Sequence, residues 1–183
     1  GFCSHSPLEL KSRDNRAVGL HQAVGRGIRN GSAATGSYHM KIAVTGSTGF
    51  IGTYVTHELE KLSITPTLLV RPSSIDKVSQ LKGEVVPFDI ADPPEDAFDI
   101  IGRPDILIHL AWEGLPNYMS TRHTEVELAT QYRFLSQLVR SGLKSLVVTG
   151  TCFEYGMLSG ALDESMEVQP DNPYGIGKDT LRK

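Results

Sequence analysis

Two rhythms of apolar and polar positions alternate along the chain after Met40. Short apolar runs recur in "KIAVTG", "TPTLLV", "GEVVPF", "DILIHLAW" and "SLVVTG", and each predicts a strand. After the first run, Ile51, Val55, Leu59 and Leu62 recur at steps of four, four and three, which is the period of a helix. A longer helix is predicted from about Thr121, with Leu128, Tyr132, Leu135 and Val139 on one stripe and Ser141-Gly142 as its stop. "DPPEDAFD" reads as a solvated acidic loop or the start of a short helix. Strands that alternate with helices and are apolar throughout predict a parallel sheet covered on both faces.

Between the first strand and the first helix stands "TGSTGFIG", which spaces Gly46, Gly49 and Gly52 as G-x-x-G-x-x-G. A glycine turn at that place lets backbone N–H groups approach a phosphate pair at the helix N-terminus, where the partial positive charge favours an anion. Gly46 is expected to make the tight turn, Gly49 to allow the close approach, and Gly52 to pack helix on strand. A glycine turn without a ligand is the other reading of such a triplet. A second stretch, "NPYGIGK", sets Tyr174 and Lys178 four apart, on one face of a helix. The ammonium is expected to lower the phenol pKa, so that the tyrosine can exchange a proton near neutral pH. Thr151, after the fifth strand, can hydrogen-bond the same substrate oxygen. Taken alone, Tyr-x-x-x-Lys is mostly a solvated helix face.

In this order, "TGSTGFIG", "DILIHLA", "VVTGTCFEYG" and "PYGIGK" resemble the extended short-chain dehydrogenase/reductase family of sugar-nucleotide epimerases and dehydratases. The resemblance runs from about Lys41 to Lys183. It implies an α/β fold, a doubly wound parallel sheet of Rossmann type, and a dinucleotide pyrophosphate held at Gly46, Thr48, Gly49, Phe50, Ile51 and Gly52. It also implies a catalytic set of Thr151, Tyr174 and Lys178, with Lys178 on the nicotinamide ribose as well. Asp89, beside Ile90 in "PFDIAD", matches the aspartate that meets the adenine, and Ala111 matches a residue lining the cofactor channel. The family's long-helix asparagine is replaced by "EVELAT", with Glu127 near that place. The acids expected of a dehydratase after the hydroxyl residue are Cys152 and Phe153 here, and Glu154 is offset by one. An extended segment would point Glu154 elsewhere. An epimerase or 4-keto reductase needs only the Thr/Tyr/Lys set and a hydride carrier. The family continues past the catalytic helix into a substrate lobe, which the resemblance implies is missing after Lys183.

The residue ending the second strand chooses between dinucleotides. An acid there holds the ribose of NAD, and an arginine accommodates the 2′-phosphate of NADP. "TLLVRPSS" puts Arg71 at that place, with Ser73 and Ser74 as further donors, and no acid lies between Thr65 and Ser74. NADP is therefore the expected cofactor, with NAD the alternative.

The remaining features mostly exclude. Residues 1–39 carry five Lys/Arg against two Asp/Glu and no sustained apolar period, and are read as a disordered or expression-derived leader before a domain over 40–183. A net charge of −3 points away from nucleic acid. No apolar run reaches the roughly 18 residues of a membrane span. The two cysteines, Cys3 and Cys152, suggest no disulfide framework and fit a cytoplasmic location. His5, His21, His39 and His57 lack metal-ligand spacing, so no metal is expected. His109 reads as a core histidine with a backbone partner, and Trp112 either borders the substrate cleft or simply packs. The helix near 121–140 is the candidate homodimer element, as in dimers of the family the chain resembles. Its outward face, with Arg133, Ser136, Gln137 and Arg140, is too polar to promise a strong interface. The leading function is an NADP-dependent epimerase or 4-keto reductase of a nucleotide-linked sugar. A non-catalytic dinucleotide sensor and a simple interaction module are the alternatives.

Overall fold

The computed structural model describes residues 40–183, so the expectation for residues 1–39 lies outside the described residues. Five strands form one sheet: β1 (Ile42–Thr45), β2 (Thr67–Val70), β3 (Glu84–Pro87), β4 (Ile106–His109) and β5 (Ser145–Val148). All pairings are parallel and the order is β3-β2-β1-β4-β5, which is the doubly wound Rossmann arrangement. Helix α1 (Phe50–Lys61) joins β1 to β2, and a 3-10 turn over Pro72–Val78 leads on towards β3. The short helix α2 (Ala97–Ile100) precedes β4, and a π turn over His123–Glu127 runs into α3 (Leu128–Arg140) before β5. The last helix, α4 (Pro173–Arg182), follows a 3-10 turn over Cys152–Tyr155.

Alternation along each strand sorts the apolar residues into two layers. Ile42, Val44, Leu68, Val70 and Ile108 pack with Leu59 of α1. Ala43, Leu69 and Leu107 face the other way, against Phe98, Phe134, Leu135 and Leu138. Only the inner strands are covered as expected. The edge strands β3 and β5 are largely open, because neither has a neighbour on its outer side among the described residues.

Each helical stripe is met in part. In α1, Gly52, Thr56 and Leu59 are buried while Ile51 and Leu62 are exposed. Leu59 and Val55 of the expected stripe do pack on the core, and Gly52 lets the helix start press on the β1 turn. In α3 the buried face is Gln131, Phe134, Leu135 and Leu138, whereas Tyr132 and Val139 are exposed. Arg133 is exposed as expected and Gln137 is half-buried; both donate to surface carbonyls, of Ala91 and of Pro94 and Glu95.

The turned-in glutamine is explained by His109. This residue is fully buried, and its partners are side chains rather than the expected backbone. The Thr45 hydroxyl lies 2.9 Å from Nδ1, and Gln131 Oε1 lies 2.7 Å from Nε2. Two backbone N–H groups, of Leu110 and Ala111, reach Thr45 Oγ1, which leaves that hydroxyl to donate to Nδ1. The imidazole is thus neutral, with Nε2 donating to Gln131. Burial pushes its pKa down to about 4, with the Gln131 bond opposing and Lys178 adding to the fall.

A folded-state pKa below the unfolded value means that the unfolded chain takes up a proton first as pH falls. The stability this group confers is therefore complete above about 6.5 and drains away towards pH 4. Urea unfolding between pH 7.5 and 4.5 should show His109→Gln losing less stability across that window than the parent, by up to roughly 3 kcal/mol. Equal losses in the two proteins would refute the assignment.

Candidate functional site

Strands β2 and β3 lie on one side of β1, and β4 and β5 on the other, so the crossover direction reverses between β1 and β4. A crevice opens there at the carboxyl ends of the strands. It is a cleft lined by Thr45, Gly46, Thr48, Gly49, Leu69, Val70, Arg71, Ser74, Phe88, Ile90, Leu110, Ala111, Trp112 and Glu113. Gly46 turns the chain with φ of 70°, and a Cβ on it would lie 2.8 Å from the backbone of both Leu110 and Ala111. A Cβ at Gly52 would lie 2.0 Å from the Gly46 carbonyl oxygen, so helix and turn are in contact there. Gly49 is different. A Cβ there meets only the Gly46 carbonyl, at 3.3 Å, and otherwise stands in the cleft.

Among the described residues no side chain caps the N-terminus of α1, and its first turn holds no acid. The buried hydroxyl of Ser47, inside the same loop, has no partner among them either. The side chains of Phe50 and Ile51 are exposed and do not line the cleft, so only their backbone can serve it. Asp89 is exposed and its carboxylate accepts from the Ala91 N–H at 2.9 Å, while its neighbours Phe88 and Ile90 line the cleft. Ser74 is buried in the cleft wall, and Ser73 lies outside it.

Tyr174 and Lys178 both face inward from α4, which Asn172 caps through the Gly175 N–H and Pro173 begins. The intervening glycines bring that helix close. A Cβ on Gly175 would lie 2.4 Å from the Phe153 carbonyl oxygen, and one on Gly177 would lie 2.9 Å from that of His123. Rings of Trp112, Tyr118, His123 and Phe153 surround Tyr174 at centroid distances of 5.3–6.2 Å. Thr151 lies near enough to Tyr174 to favour its ionised form, so the structure brings these two together. Lys178 Nζ sits 4.6 Å over the Trp112 ring.

The expected lowering of the phenol pKa is not seen. Burial raises Tyr174 above its ordinary value, and Thr151 only opposes this. Lys178 is itself desolvated, down to about 8, and its charge rests against the indole rather than the phenol. Glu154 also differs from expectation, because its segment is a 3-10 turn and not extended. Its carboxylate is buried, accepts from the Thr151 N–H at 2.8 Å and pairs with Arg182 at 3.3 Å. It is a cap for the Thr151 turn.

The model of the NAD dependent epimerase/dehydratase family matches residues 42–182. This chain belongs to that family. It is 31% identical over 145 residues to dTDP-6-deoxy-L-talose 4-dehydrogenase (NAD(+)) of Aggregatibacter actinomycetemcomitans, covering 79% of this chain and 53% of that protein. Among solved structures it resembles UDP-glucose 4-epimerase of Thermus thermophilus in complex with NAD, at TM-score 0.65 and 22% identity, over 78% of this chain and 49% of that one. It also resembles MoeE5 in complex with UDP-glucose and NAD, at TM-score 0.62 and 23% identity, over 78% of this chain and 46% of that one. These two likenesses show the fold. The chain spans about half the length of the curated relatives it matches.

For this member of the epimerase/dehydratase family, a dinucleotide fits the residues present. The uncapped helix start, the space at Gly49 and the cleft running from Arg71 to Trp112 form one continuous cradle. Among the described residues no group of three or more His, Cys, Asp or Glu could hold a metal ion, and no helix is long and apolar enough to cross a membrane.

Sequence reasoning missed the polar chain behind the cleft. Gln131 Nε2 donates to Glu127 Oε2, which also accepts the Glu113 N–H, both at 3.3 Å. Arg122 bridges Glu127 and Glu113, and Arg71 pairs with Glu113 at the mouth. His123 accepts from the Trp112 indole at 3.0 Å and meets the Asn117 carbonyl at 2.8 Å, which fixes the indole's tilt. The four-residue step from Glu127 to Gln131 was the one available signal of this network.

The glycines should separate by experiment. Gly49→Val is expected to keep the parent's urea midpoint yet lose dinucleotide binding, because its side chain occupies the cradle. Gly52→Val should destabilise the fold itself, by roughly 3 kcal/mol or more, since backbone must move. Normal calorimetric binding by Gly49→Val would remove the phosphate cradle.

Proposed function

We propose that this chain is the cofactor-holding and acid–base part of an epimerase or 4-keto reductase of a nucleotide-linked sugar. The observation that carries this reading is Tyr174, buried on the inner face of the last helix and packed against the Trp112 ring that lines the cleft, with Lys178 one helical turn on and over the same indole. A bound nicotinamide supplies the group that takes up or gives the hydride at the sugar carbon. Tyr174 keeps its proton at neutral pH, since burial raises its pKa, and so is set to donate to a carbonyl oxygen. In the oxidising direction the phenolate left by that donation takes the proton back from the sugar hydroxyl, which restores the phenol. Thr151 holds the reacting oxygen by a second hydrogen bond and so orients it. Lys178 is assigned to the nicotinamide ribose, as in the family the sequence resembles. Cys152 and Phe153 offer no acid–base pair for eliminating water, which disfavours a dehydratase.

The dinucleotide we assign is NADP, with NAD as the alternative, because Arg71 lines the cleft where an adenosine 2′-phosphate would lie. NADP(H) should then bind more tightly than NAD(H), and Arg71→Ala should narrow the gap. Equal affinities in the parent would remove Arg71 from this role.

Tyr174→Phe should leave dinucleotide affinity near the parent's. In a form of the protein that turns over substrate, it should cut the rate about 10²–10⁴-fold. Residues 1–183 alone are expected to bind the dinucleotide and to reduce or epimerise no sugar nucleotide at a useful rate, since positioning supplies much of catalysis. Efficient turnover by this chain would contradict that expectation. If no form of the protein transfers hydride, the sensor reading takes precedence.

A further inference from the structure

The second strand ends without an acid, yet a carboxylate still stands at that end of the cleft. Glu113 reaches it from the segment after β4, and its Oε1 pairs with Arg71. Both side chains are about half exposed, 51% and 41%, and an isolated pair of that kind contributes little. This pair is not isolated. The other carboxylate oxygen of Glu113 accepts from Arg122 at 3.2 Å, and Arg122 also donates to Glu127 at 3.1 Å. Glu127 is buried, holds the Glu113 main-chain N–H, and is itself held by Gln131, whose carbonyl oxygen meets His109 in the core. Glu113 is therefore aimed at Arg71 by a network rooted in the sheet.

We propose that Glu113 sets the dinucleotide preference by competing with the adenosine 2′-phosphate for Arg71. This rests on the dinucleotide reading above and deepens it. A 2′-phosphate has to displace Glu113 from the guanidinium and then lie close to a displaced carboxylate, which is a repulsive element of the kind that sets specificity. A ribose 2′-hydroxyl faces no such opposition. It leaves the Arg71–Glu113 pair intact and finds in Glu113 an acceptor, the function an acid at the end of the second strand would otherwise serve. Glu113 thereby holds down a preference for NADP that Arg71 alone would make large.

Trp112 is the only tryptophan of the chain and lines the cleft, so quenching of its emission reads binding of either oxidised dinucleotide without any turnover. The quantity of interest is the ratio of the NAD⁺ to the NADP⁺ dissociation constant. Glu113→Gln should raise this ratio about three- to tenfold, and the rise should shrink as salt is added, since the groups are exposed. In an Arg71→Ala background the same substitution should produce a clearly smaller rise. An unchanged ratio in Glu113→Gln, or a rise that is the same with and without Arg71, would overturn the proposal. A parent chain that binds neither dinucleotide would instead overturn the dinucleotide reading, and this proposal with it. Glu113 is 41% exposed, so the variant leaves the core untouched, and Glu113→Ser provides a second removal of the charge with the same expected direction.

Discussion

A neutral histidine buried at the switch point of the sheet is the constraint from which much of this structure follows. His109 ends β4 fully buried, and an unpaired imidazole there would cost more than a polar residue turned inward. Thr45 on β1 and Gln131 on α3 meet its two nitrogens. Satisfying them fixes which face of α3 looks at the sheet, and thereby leaves Tyr132 and Val139 outside. It also puts Glu127 one turn earlier, within reach of the main chain at Glu113. The polar thread that begins in the core thus ends at the cleft mouth, on Arg71.

The second device is the absence of side chains at points of contact. Gly46 and Gly52 let the first helix meet the turn that feeds it, and Gly175 and Gly177 let α4 lie against two carbonyl oxygens. Those contacts draw Tyr174 and Lys178 out of water and into a surround of aromatic rings. Desolvation then acts oppositely on the two groups. It favours the neutral form of each, which raises the phenol and lowers the amine. The tyrosine of this chain therefore holds its proton more tightly than an exposed phenol, with Thr151 opposing that shift.

Much of the architecture was legible because it depends on local rules. Five apolar runs gave five strands, their alternation with helices gave the parallel order, and the glycine triplet marked one wall of the cleft. The four-residue spacing of Tyr174 and Lys178 placed both on the inner face of one helix. Hydrophobicity counted along a single helix failed where a partner elsewhere changed the sign of burial. Gln131 is polar and belongs outside until His109 is across from it. Ile51 is apolar yet stays exposed at the helix start.

The order of elements, the cradle and the spacing of the candidate chemistry could be read along the chain, because they follow from neighbours a few positions apart. Charges and partners emerged with the fold. Arg71 and Glu113 are 42 residues apart, and His109 and Thr45 are 64 apart. No periodicity spans such separations, since it is the pairing of β1 with β4 and the packing of α3 on the sheet that bring those groups into contact. A lysine drawn as a neighbour of a tyrosine on a helical wheel rests instead on an indole from another segment, because desolvation and packing in three dimensions set which group it meets.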